Sequence, residues 1–104
     1  MIRQDIDVEG YWTIIVLYDA PLGSKDVGFT YTKPNKRLSI VGIAPTSSQA
    51  ELLNTIVHEA KHVQSHICEY YNVPEDGEQA AYLIGYIVQK MHESFTNFIS
   101  TGVK

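Results

Sequence analysis

Leu52-Leu53-Asn54-Thr55-Ile56-Val57-His58-Glu59-Ala60-Lys61-His62-Val63 is the stretch from which the rest of the chain is read. Leu52, Leu53, Ile56, Val57, Ala60 and Val63 recur at helical spacing, so the segment predicts an amphipathic helix whose buried side adjoins the two histidines. Residues four apart lie on one face of a helix, about one turn apart. His58 and His62 are therefore neighbours, and two imidazoles so placed can grip one Zn²⁺ through their ring nitrogens. Glu59 projects from the adjoining side, where a carboxylate can take a proton from a water acidified by the ion. This HExxH spacing offers two metal ligands and a general base from one short helical stretch.

The helix has readable ends. Thr46-Ser47-Ser48-Gln49 and Ser48-Gln49-Ala50-Glu51 both fit a capping box, so the start falls near Ser47 and the helix runs into the high 60s. Tyr70-Tyr71-Asn72-Val73-Pro74 breaks it or follows its break, and Asp76-Gly77 sits in a turn or at a helix start. Ala80, Ala81, Leu83, Ile84, Ile87, Val88, Met91, Phe95 and Phe98 then mark a long second helix to about Ser100. The first 45 residues read as β. Residues 11–18, 27–32 and 37–43 are strand-like, separated by Pro21-Leu22-Gly23-Ser24 and Lys33-Pro34-Asn35-Lys36. The expectation is a three-stranded meander, at least partly antiparallel, followed by two helices. That is an α+β fold in which a small sheet is covered by helices, within one domain spanning residues 1–104.

Composition narrows the class. With 104 residues and 44% hydrophobic content the chain can close one modest core. A net charge of −4 argues against a nucleic-acid footprint. No run of 18 apolar residues is present, so no membrane span is expected. The N-terminal stretch carries acids and no apolar core of a signal peptide. Cys68 is the single cysteine, which excludes an internal disulfide and points to a reducing cytoplasm.

A catalytic zinc takes three protein ligands, so a third is needed. Glu78 is the first candidate, 16 residues after His62 at the opening of the second helix. Acids are also favoured in a first helical turn by the macrodipole alone. If the first helix continued to Tyr71 and the second ran straight back beside it, Glu78 would stand level with residue 70, about 12 Å from His62. On that count Glu78 reaches the ion only if the first helix ends within about five residues of His62 or the helices cross steeply. In a tight hairpin Glu93 or His92 is better placed. His66 extends a ladder with His58 and His62, but on a straight helix it lies about 12 Å from His58, too far to share one zinc. It is read as a hydrogen-bonding neighbour of the site or a surface histidine. Cys68 occupies the place of the last ligand in HExxHxxGxxH, with Ser65 where that pattern needs glycine.

His58-Glu59-x-x-His62 followed by Glu78-Gln79-Ala80-Ala81-Tyr82-Leu83-Ile84-Gly85 resembles the gluzincin branch of the zincin metallopeptidases. The likeness extends to minigluzincins and small phage or prophage HExxH proteins, and more loosely to ImmA/IrrE-type peptidases, over about residues 36–90. The resemblance implies a zincin-like minimal domain in which His58, His62 and Glu78 bind zinc and Glu59 is the general base. It also implies that a sheet edge binds an extended peptide or protein substrate, with residues 37–43 as its expected source. Tyr82, at the position where many gluzincins carry Asp, is the expected oxyanion donor, with Tyr86, Tyr71 and His66 behind it. The leading expectation is a zinc-dependent metallopeptidase. The alternatives are a zinc-stabilised binding or regulatory module with little turnover, and a metal-free phage accessory or scaffold protein.

Overall fold

The computed structural model describes residues 2–19 and 27–102, with side chains as far as residue 94. The expected loop at Pro21 to Ser24 and the side chains of Phe95 and Phe98 lie outside the described residues.

Alternation of side chains sets the sheet. In Ile2–Val8 (β1), Arg3, Asp5 and Asp7 are exposed while Ile6 and Val8 are buried. In Trp12–Tyr18 (β2), Trp12, Ile14, Val16 and Tyr18 all face the core. Gly28–Lys33 (β3) and Leu38–Ile43 (β4) complete a four-stranded sheet in the order β1-β2-β4-β3. β1 pairs antiparallel with β2, β2 parallel with β4, and β3 antiparallel with β4. The expected three-stranded meander is therefore corrected on two counts. The polar-apolar alternation of residues 2–8 makes a strand, and the parallel pairing of β2 with β4 makes the sheet mixed. Among the described residues the sheet edges are β1 and β3. Residues 37–43, expected at the edge, instead form the inner strand β4, flanked on both sides. Arg37 itself is outside the strand, in a left-handed conformation that closes the 3-10 turn Pro34–Lys36.

Gln49–Tyr71 forms α1 and carries residues 58–62 in mid-helix. Ser48 is its N-cap, accepting from the Glu51 amide at 3.1 Å. Glu51 reaches back to the amide and hydroxyl of Ser47, a capping box displaced by one residue. Asn72, left-handed at φ 59°, closes the other end. Glu78–Gly102 forms α2. Both helices lie on one face of the sheet, α1 over β3 and β4 and α2 over β1. Ile14, Val16, Val41, Ile56, Ala60, Val63, Ile87 and Met91 meet there in one core. No helix among the described residues is long and apolar enough to cross a membrane.

Candidate metal centre and its strand wall

The site grows from the way α1 lies against the free-edge strand. β3 turns Gly28, Thr30 and Thr32 toward α1, and Phe29, Tyr31 and Lys33 away from it. Thr30 Oγ1 donates to Glu59 Oε1 at 2.7 Å. A Cβ on Gly28 would stand 2.9 Å from Glu59 Oε2 and 3.0 Å from Thr55 Cγ2. Thr32 Oγ1 meets His66 Nδ1 at 2.6 Å. The threonines thus match Glu59 and His66 in order, and strand and helix run in the same direction. Glu59 is only 4% exposed, wedged between helix and strand.

A helix turns about 100° per residue, which fixes where the other histidines point. Thr55 and His66, the residues beside β3, sit about 40° and 20° to one side of Glu59 on the helical wheel. His62 and His58 continue round the same side, at about 60° and 100°. Both are exposed. Their Nε2 atoms lie 3.3 Å apart, with ring centroids 4.9 Å apart and planes at 74°. Two nitrogens bound about 2.05 Å from one tetrahedral ion stand about 3.3–3.4 Å apart. The pair therefore has the spacing of two zinc ligands, and its donor atoms are the ones that zinc prefers.

α1 runs unbroken to Tyr71, close to its expected end in the high 60s, so the condition of an end within about five residues of His62 is not met and Cys68 is helical and buried. Burial raises the Cys68 thiol above its ordinary pKa. The 72–77 connection nonetheless folds back along α1. Glu75 Oε2 accepts from Ser65 Oγ at 2.9 Å and from Lys61 Nζ at 3.2 Å. Gln64 Nε2 donates to the Ala80 carbonyl at 2.9 Å. Glu78 lies between these two anchors, so it enters at the height of residues 61–65 rather than that of residue 70. Its side chain is exposed. Among the described residues, no three His, Cys, Asp or Glu side chains converge as a metal-holding group. His92 and Glu93 are exposed on α2, where Glu93 accepts from Gln89 Nε2 at 3.4 Å.

Tyr82 is 74% exposed. It lines a cavity of about 530 Å³ together with Tyr11, Cys68, Tyr71 and Tyr86, whose walls include none of His58, Glu59 and His62. Tyr71 and Tyr86 are tied to backbone carbonyls of Tyr11 and Asp7. His66 lines a separate hollow of about 330 Å³ with Thr32, Pro34, Glu69 and Tyr70.

Gly28, Thr30, Thr32 and Glu75 are the site neighbours that sequence reading missed. The threonines carried no local signal, because their partners lie 29 and 34 residues away. Comparison with protein-family models, curated proteins and solved structures returned no match.

Proposed function

We propose that this chain is a zinc-dependent metallopeptidase in which His58 and His62 hold the ion and Glu59 is the general base. The observation that carries the reading is the 3.3 Å separation of the two Nε2 atoms, on the exposed flank of α1 next to the face that meets β3. Glu78 is the proposed third ligand, supported by its entry beside residues 61–65 and its exposed carboxylate. When bound, zinc supplies Lewis acidity toward a water and a scissile carbonyl.

The chain's own groups supply the rest. Glu59 takes the proton of the attacking water and delivers it to the leaving amine. Thr30 holds one oxygen of that carboxylate, and Gly28 leaves room beside the other. Among the described residues β3 has a partner on only one side, which supports the addition of an extended peptide to its outer N–H and C=O groups as a further strand. This edge runs alongside Glu59, which supports a peptide as substrate.

The test is elemental analysis of freshly purified protein, combined with hydrolysis of a fluorogenic random-sequence peptide library. One equivalent of zinc is expected, lost in His58→Ala and in Glu78→Ala. Glu59→Gln keeps zinc and fold and abolishes hydrolysis. Protein that takes up no zinc overturns the reading. Stoichiometric zinc with no difference between wild type and Glu59→Gln on any peptide instead favours a zinc-stabilised binding module.

A further inference from the structure

A file of polar groups leads from the core to His66. Trp12 and Ser39 are buried at 2% and 0% exposure, and Trp12 Nε1 donates to Ser39 Oγ at 3.1 Å. Ser39 Oγ lies 2.8 Å from Thr32 Oγ1, and Thr32 Oγ1 lies 2.6 Å from His66 Nδ1. Indole N–H is a donor only, whereas each hydroxyl has one proton and accepting lone pairs. Ser39 therefore accepts from Trp12 and directs its own proton to Thr32. Thr32, accepting from Ser39, has its proton left for His66 Nδ1. The reverse polarity would strand the buried Ser39 proton without an acceptor in this file, at a cost of the size of a lost hydrogen bond. One orientation satisfies every member. It makes Nδ1 of His66 an acceptor and leaves the proton of the neutral ring on Nε2.

We infer that His66, set in this tautomer by Trp12, Ser39 and Thr32, donates its Nε2–H to a carbonyl of the peptide bound along β3. This deepens the peptidase reading above and rests on it. His66 stands one helical turn beyond His62, on the same side of α1, and lines the hollow at the end of β3. A donor whose direction is set before substrate arrives stabilises developing negative charge without reorganising during the reaction. His66 is the residue that touches substrate. Thr32 and Ser39 are positioning residues, acting through it. The assignment moves the donor role from Tyr82 on α2 to a histidine of α1 held by Thr32, two residues along β3 from the threonine that holds Glu59.

The relay is read by long-range ¹⁵N–¹H spectra of the labelled chain at a pH where His66 is neutral. The expected pattern is a bare Nδ1 and a protonated Nε2. Thr32→Val should give a tautomer mixture, and Thr32→Ser should restore the single form. On the best-cleaved library peptide, His66→Ala should lower kcat about 10²- to 10³-fold, with KM within about twofold and zinc content unchanged. Thr32→Val should lower kcat by a smaller factor, rescued by Thr32→Ser. A protonated Nδ1 in wild type, a Thr32→Val spectrum like wild type, or full kcat in His66→Ala overturns the inference. A wild type without zinc or hydrolysis overturns the peptidase reading and the donor role with it. The spectra then judge the relay alone.

Discussion

Gly28 on β3 faces the Glu59 carboxylate so closely that a Cβ there would lie 2.9 Å from Oε2. The same carboxylate receives the Thr30 hydroxyl at 2.7 Å on its other oxygen. Two residues of one strand, spaced by two, thus determine where an acid of the facing helix rests.

Gly28→Ala places a methyl group against Oε2 and against Thr55 Cγ2. The end of the Glu59 side chain is the part able to move, so the carboxylate gives way before the backbone does. Stability should fall by about 1–2 kcal/mol, the scale of mild overpacking. Peptide hydrolysis should fall about a hundredfold or more, as for loss of a positioned general base. Zinc content should not change. Denaturant titration and metal analysis on the same preparation check both halves.

Thr30→Val keeps the shape and removes the donor. Glu59 Oε1 is then buried without that partner, which costs about 1–3 kcal/mol. Thr30→Ser should recover most of the loss. Equal stability of the valine and serine variants in urea would show that the hydroxyl contributes nothing.

Tyr18 is buried, and its hydroxyl donates to the Met91 carbonyl at 2.6 Å, joining β2 to α2. Tyr18→Phe should cost about 0.5–1.5 kcal/mol at neutral pH. Burial raises the Tyr18 pKa. The folded chain therefore keeps this proton at a pH where the unfolded chain, with a phenol near 10, has released it. The contribution is complete below pH about 10 and is lost as pH rises from there toward the folded value. Urea midpoints at pH 8 and pH 11 should show wild type losing more than Tyr18→Phe between the two.

Glu75 fastens the 72–77 connection to α1, and bonds from Ser65 and then Lys61 hold its carboxyl below the ordinary carboxylate range. A depressed folded pKa contributes stability above the unfolded pKa of about 4.3 and loses it as pH falls through the lower folded value. Wild type should exceed Glu75→Gln in thermal midpoint at pH 7. The gap should close below pH about 4. If Glu75 also sets the entry of Glu78, zinc affinity should weaken in Glu75→Gln at neutral pH.

Much of this architecture could be read locally. Residues 49–71 announced a helix through apolar spacing and a capping signal, and Ser48 is indeed the cap. The second helix opens at Glu78, where acids favour a first turn. β1 was legible too, since Ile2, Ile6 and Val8 alternate with charged residues. The contacts of the β3 threonines with α1 were not legible, because sequence spacing says nothing of what stands opposite a helix face.

Sequence by itself determined that His58 and His62 share a face of α1 with Glu59 beside them, since helical periodicity is a property of covalent geometry. Tertiary structure alone decided which strand lies against that face. Strand order depends on long-range pairing, and the parallel pairing of β2 with β4 pushes β3 to the edge, where Gly28, Thr30 and Thr32 meet Glu59 and His66. It also decided the height at which Glu78 returns, because that depends on the anchoring of Glu75 to Ser65 and of Gln64 to Ala80, contacts between residues 10 and 16 positions apart.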